Sequence, residues 1–201
     1  MIRCDKDGAL WTVTLDRPDK ANALTADMLA ALVEIFENAQ DAQVIILTGV
    51  GKVFSAGADL DAAKAGLATS PLWERLSGAI AAFNGLSIAA LNGTVAGGSF
   101  GMVLACDLRI GVETAKFFYP VMKLGYLPQP SDPARMRALI GPSRAKMILM
   151  AGQKITAPTA RDWGLIDDIA APDHLVDQAK AYAADALGAT AAHVAGIKRL
   201  C

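Results

Sequence analysis

"VAGGSFGMVLACDLRI", residues Val95–Ile110, is the stretch whose reading decides the fold. It contains a G-x-S-x-G pattern at Gly97, Gly98, Ser99, Phe100 and Gly101, and it follows an apolar run, Ser87–Leu91, that reads as a strand. Two chemistries fit a strand that turns through glycines into a helix. In the first, Ser99 is a nucleophile on a sharp strand-to-helix elbow, as in the α/β-hydrolases. In the second, the glycines leave a bare backbone N–H at a helix start, facing a substrate oxygen. One makes the side chain the chemistry; the other makes the backbone the chemistry.

The surrounding sequence alternates strand and helix. Ala9–Leu15 reads as a strand, "LDRPDKANALT" as a turn, and Thr25 as the cap of a helix with Met28, Leu32, Ile35, Phe36 and Ala39 on one face. Val44–Leu47 is a short buried strand closed by "TGVG", followed by a helix around Trp73–Phe83. The strand Ser87–Leu91, a helix from about Ser99 to Ala105 and a strand Leu108–Val112 come next. After Pro130 the pattern changes to helices broken by Gly and Pro, at Pro133–Ile140, Ser143–Met150, Ala157–Trp163 and Leu175–Leu187. The expectation is one α/β domain over residues 1–201 with a helical C-terminal part.

Composition narrows the function. The 201 residues are 53% hydrophobic, which suffices for a sizeable core. The formal charge of −1 offers no basic stripe, so nucleic acid is not an expected partner and a small molecule is. Cys4, Cys106 and Cys201 lie far apart without a C-x-x-C pair, which argues against both a disulfide framework and a metal site. Cys106, in an apolar run, reads as buried filler. The start "MIRCDKDGALWTVTL" carries charges where a signal peptide needs an apolar core, and no stretch suits a bilayer span. A reducing cytoplasm and no membrane partner are expected.

Two motifs weaken under inspection. "GVGKVF", Gly49–Phe54, resembles a phosphate loop, but Ile46 stands where the first glycine belongs and Val53 follows Lys52 in place of Ser or Thr. Asp167, Asp168 and His174 follow Ser99 in the hydrolase order of nucleophile, acid and histidine, but "LIDDIA" and "APDHLV" are ordinary places for solvated polar residues. His193, in an Ala-rich helical stretch, is the only other histidine.

"VFSAGADL" at Val53–Leu60 and "LNGTVAGGSFGMVLACDLRI" at Leu91–Ile110 together resemble the crotonase superfamily, the enoyl-CoA hydratase and isomerase group. "LDRPDKANALT", "FFYPVMKLGYLP" and "GPSRAKMILMAGQKITAPTARDWGLID" extend the resemblance almost to the chain end. It implies a crotonase-like (ClpP/crotonase) fold of repeated ββα units and a homo-oligomer, a trimer or a dimer of trimers. It further implies an acyl-CoA substrate whose thioester oxygen sits between the N–H groups of Ala58 and Gly98. Coenzyme A would enter as part of the substrate, with no permanently bound cofactor, and Lys20, Ala21, Ala56, Ala58, Asp59 and Leu60 would hold it. Local readings compete: Lys20 as a solvated turn residue, Asp59 as a helix cap.

The sequence also departs from the family. Hydratases place one glutamate three residues after the oxyanion glycine, where this chain has Gly101, and another after a proline, where it has Pro120 and Val121. Weak or absent hydratase activity is therefore expected, and isomerases of the family, which commonly retain the second glutamate, are disfavoured as well. A reaction resting mainly on enolate stabilisation, such as decarboxylation of a malonyl-type thioester, is one possibility. Replacement acids, with Tyr119, Tyr126, Asp132 and Ser99 as candidates, are a second, and acyl-CoA binding without turnover is a third. Tyr119 also reads as core packing beside Phe117 and Phe118, and Asp132 as a helix cap. The segment between "GADL" and "LNG" is short, and the chain stops at "AAHVAGIKRLC", where family members continue into further helices.

Overall fold

Val44–Gly49 is apolar on both faces, which suits a strand with neighbours on every side rather than one facing water. In the computed structural model, which describes residues 1–201, it lies inside a six-stranded sheet. The first third of the chain forms β1 (Ile2–Asp7), β2 (Leu10–Leu15), α1 (Ala26–Glu37), β3 (Val44–Gly49), β4 (Val53–Ser55) and α2 (Leu60–Lys64). The middle forms α3 (Leu72–Ala82), β5 (Leu86–Leu91), β6 (Thr94–Ala96), α4 (Phe100–Ala105), β7 (Leu108–Val112), β8 (Lys116–Phe118) and α5 (Val121–Leu124). The remainder forms α6 (Asp132–Leu149), β9 (Ile155–Thr156), α7 (Ala157–Trp163), β10 (Asp168–Ala170), α8 (Leu175–Gly188) and α9 (Ala191–Leu200).

The large sheet runs β1-β2-β3-β5-β7-β10, parallel except at β1, and the small one runs β4-β6-β8-β9. Each long central strand is followed by a short strand of the second sheet and then by helix. β3 leads to β4 and α2, β5 to β6 and α4, β7 to β8 and α5. This is a ββα repeat, used three times. One cluster of 52 buried apolar residues includes side chains from both sheets and the helices, so the short sheet is anchored by the same core as the long one.

Most expected elements are present. Thr25 caps α1 by accepting the Met28 N–H, and α1 buries Met28, Leu29, Leu32, Val33 and Phe36. The two C-terminal helices expected at Pro133–Ile140 and Ser143–Met150 are both present within α6, which breaks between them where Gly141 takes φ +79° before Pro142. Cys106 is buried.

Three features differ from the sequence reading. β1 is a strand despite its charges: "IRCDKD" is an exposed edge, paired with β2 across a two-residue turn in which Gly8 adopts φ +56°. The four strands of the small sheet, two or three residues each, are too short to carry a period. Asp132 is the first residue of α6, not its cap, since Ser131 holds the cap position. No helix is long and apolar enough to cross a membrane.

Candidate active site

The site begins where two loops are laced together. Asn22, fully buried with φ +52°, donates from Nδ2 to the carbonyls of Val50 and Val53 and accepts the Arg17 N–H on Oδ1. Ser55 Oγ donates to the Asn22 carbonyl and accepts the Gly57 N–H, while the Ala56 N–H donates to Ala21 O at 3.0 Å. Leu24 and Ala58 then form a parallel bridge: Leu24 N–H to Gly57 O at 2.7 Å, Asp59 N–H to Leu24 O at 2.9 Å. Both bonds flank Ala58 on one side. The geometry of a parallel bridge therefore turns the Ala58 N–H to the opposite side, free of that pairing.

A second donor comes from the turn after β6. Gly97 takes φ +57°, and a short 3₁₀ turn, Gly97–Ser99, runs into α4, so the Gly98 N–H falls among the first-turn donors that a helix leaves unpaired. The two donor segments are in contact. A Cβ on Gly57, itself at φ +91°, would stand 2.7 Å from Ala96 O, closer than any side chain fits, and 3.4 Å from Gly97 Cα, in ordinary contact. Two small-residue backbones at this separation, with N–H groups unused by the fold, form a candidate site for an oxyanion.

Beside Gly101 lies the feature that carries most chemical weight. A Cβ at Gly101 would be 3.1 Å from Asp132 Oδ1, so this carboxylate occupies the space that a longer residue at 101 would enter. Asp132 is fully buried; Tyr119 Oη donates to its Oδ2 at 2.9 Å, and Oδ1 has no hydrogen-bond partner. Burial raises the Asp132 carboxyl to about 7, helped by the Glu74 charge and opposed by the Tyr119 hydrogen bond and Arg135. The Tyr119 hydroxyl is pushed far above its ordinary range, first by burial and then by the Asp132 charge. Tyr119 also stacks on Phe100 with ring centroids 5.4 Å apart, so it packs in the core as well as touching Asp132.

This shift sets a sign for stability. Asp132 titrates higher folded than unfolded, so its contribution is full below about pH 4, the ordinary carboxyl value, and is lost as pH rises through about 7. Urea unfolding at pH 5 and pH 8 is expected to show wild type losing stability relative to Asp132→Asn, by about 2–3 kcal/mol. A parallel pH dependence in both proteins would contradict the shift.

The other expected residues fall into two groups. Lys20 is exposed at the end of the 3₁₀ turn Pro18–Lys20, Ala21 and Ala56 are joined by their backbone bond, and Leu60 is exposed at the start of α2, so these residues rim the donor loop. Asp59 caps α2 through the Asp61 and Ala62 N–H groups and pairs with Arg17 Nη1 at 2.8 Å. The Arg17 hydrogen bond, reinforced by those backbone donors, holds its carboxyl below the usual range. The helix-cap reading of Asp59 is thus realised, and an ion pair is added to it.

The hydrolase constellation is not assembled. Ser99 is fully buried and its Oγ donates to Ala96 O at 2.7 Å and Ser55 O at 3.4 Å. Asp167 accepts from the Arg109 N–H, Asp168 accepts from Tyr182 Oη, and His174 is exposed in the turn Pro172–His174. None of these bonds involves Ser99. A fluorophosphonate probe is expected to leave Ser99 unmodified by mass spectrometry, and stoichiometric labelling there would restore the hydrolase. Tyr126, partly exposed, makes no hydrogen bond to Asp132 or Tyr119.

Asn22 and Trp73 escaped sequence reasoning. An asparagine in a Pro- and Lys-containing turn was a signal for a left-handed backbone; nothing local marked Trp73 as a neighbour of Gly98.

Residues 5–200 match the family model described as enoyl-CoA hydratase/isomerase. The chain belongs to that family. The enoyl-CoA hydratase/isomerase assignment is supported by carnitinyl-CoA dehydratase of Salmonella arizonae, 34% identical over 209 aligned positions that cover 99% of this chain and 79% of that one. The crystal structure of an enoyl-CoA hydratase from Bacillus anthracis superposes with a TM-score of 0.91 at 29% identity, covering 98% of this chain and 81% of that one. An enoyl-CoA hydratase/isomerase family member from Hyphomonas neptunium gives 0.90 at 31% identity over 98% and 80%. The ββα architecture expected from the resemblance is therefore this family's fold.

Proposed function

We propose that this family member processes acyl-CoA thioesters by moving a proton at the carbon next to the thioester carbonyl, with Asp132 as the acid–base group. The Ala58 and Gly98 N–H groups donate to the carbonyl oxygen and hold the enolate that forms when Asp132 removes the α-proton. The start of α4 adds its positive end to the same oxygen. Tyr119 donates to Asp132 Oδ2 and leaves Oδ1 for the proton. The protonated carboxyl then returns the proton to another carbon of the enolate, shifting a double bond, or the enolate expels a β-substituent. The observation that carries this reading is the unpartnered, buried Oδ1 of Asp132, 3.1 Å from the Cβ position at Gly101.

One carboxylate supports a proton shift better than hydration, which asks two groups to hold and split a water molecule. Val121, where the family's second glutamate falls, is a buried aliphatic residue. A carboxyl near 7 is also suited to giving and taking a proton at neutral pH. The rim formed by Lys20, Ala21, Ala56, Asp59 and Leu60 would carry the coenzyme A portion. Calorimetric titration with a thioether analogue of acetyl-CoA, which cannot be turned over, tests the site. Saturable binding at one site per chain is expected, and absence of binding would contradict the thioester reading.

The exposed apolar side chains Met122, Leu124 and Leu127 around α5 support association of copies of this chain, because such clusters usually mark contact surfaces. Sedimentation is expected to give a mass above that of the monomer, and a monomer at micromolar concentration would contradict it.

A further inference from the structure

Trp73 packs against the backbone of the second donor turn. A Cβ at Gly98 would be 3.2 Å from Cη2 and Cζ3 of its ring and 3.3 Å from Cε3, so the indole packs directly on the backbone of the second N–H donor. Ser77, one turn further along α3, packs in the same way near Gly101, with its Cβ 3.7 Å from the Cβ position there. Helix α3 therefore covers Gly98, in the turn before α4, and Gly101, within α4, with its largest side chain over the first.

The ring is fixed as well as close. Trp73 is 4% exposed, and its Nε1–H donates to Leu67 O at 2.7 Å. Ala68, the next residue of the 3₁₀ turn Leu67–Thr69, is held too, since Gln129 Nε2 donates to Ala68 O at 3.3 Å, while the Gln129 N–H reaches Tyr119 Oη at 3.4 Å. Thus the turn that locks Trp73 and the loop that touches the Tyr119–Asp132 pair are tied to each other. A ring anchored at its N–H does not swing aside without breaking a buried hydrogen bond, and a buried donor left unpaired is costly.

We propose that Trp73 is the specificity-determining wall of the acyl site and restricts this protein to short acyl groups. The inference rests on the thioester reading above and deepens it by naming the substrate class. An open apolar pocket has the opposite signature: each added methylene that is buried tightens binding roughly fourfold. From butyryl to octanoyl that amounts to about 10²-fold. A walled site gains nothing from the added carbons.

The test is calorimetric titration of wild type, Trp73→Ala and Trp73→Phe with acetyl-, butyryl- and octanoyl-CoA, with circular dichroism of each protein as a check on folding. Wild type is expected to bind butyryl-CoA at least as tightly as octanoyl-CoA. Trp73→Ala is expected to gain about tenfold or more for octanoyl-CoA while its acetyl-CoA affinity stays within about threefold. Trp73→Phe, which keeps a ring but loses the anchoring N–H, is expected to fall between them. Octanoyl-CoA binding to wild type about tenfold or more tighter than butyryl-CoA would overturn the wall even if no variant folded. An unchanged chain-length ratio in a folded Trp73→Ala protein would overturn it too. If no acyl-CoA binds, the thioester reading itself fails; if all bind and affinity climbs with length, only the wall fails.

Discussion

Replacing Asp132 with Asn is expected to lower turnover of 3-butenoyl-CoA to crotonyl-CoA by about 10²- to 10⁴-fold, with KM changed by no more than about threefold. The change keeps the side-chain shape and an oxygen able to accept from Tyr119 Oη, so the 2.9 Å bond and the packing beside Gly101 persist. Only the capacity to take and return a proton is removed. Tyr119→Phe separates positioning from proton transfer. It leaves the carboxylate in place but removes a hydrogen bond that holds the Asp132 carboxyl down, so the acid limb of the pH–rate profile is expected to move to higher pH. A folded Asp132→Asn protein with wild-type turnover would remove Asp132 from the chemistry.

Ala58→Pro is expected to cost about 10²- to 10³-fold in kcat, the usual price of one lost oxyanion donor. The substitution deletes an N–H that the parallel bridge does not use, since the bonds between Leu24 and its partners come from Gly57 O and Asp59 N–H. The loop lacing through Asn22 and Ser55 is also untouched. The loss should therefore appear in the chemical step with little change in urea unfolding. Stability lost in parallel with activity would mean that Ala58 is merely structural. The Gly98 donor is less suited to this experiment, because any Cβ there meets the Trp73 ring at 3.2 Å.

The sequence carried the long-period parts of this fold and missed the short ones. β3, β5, β7 and α1 announce themselves because four or more apolar residues at a regular spacing must face a core. β4, β6, β8 and β9 do not, because strands of two or three residues are defined by their partners across the sheet. β1 was hidden by charges that an exposed edge strand tolerates. At the site, the Ala58 and Gly98 loops were legible only through the family resemblance; the structure adds the close approach of Gly57 to Ala96 and Gly97 that small residues allow. The Ser99 motif was legible as well but misleading, since burial and a bond to Ala96 O remove its hydroxyl from solvent. The Asp132–Gly101 juxtaposition joins positions on α6 and α4, and no local pattern encodes it.

The measurement that bears most directly on the central claim is deuterium incorporation at the α-carbon of butyryl-CoA in heavy water, followed by mass spectrometry. It needs no knowledge of the natural substrate, only an enolate and a base. The account predicts incorporation by wild type that is lost in both Asp132→Asn and Ala58→Pro. Saturable binding of butyryl-CoA with no incorporation above the uncatalysed background would contradict it and leave a thioester binder without proton-transfer chemistry.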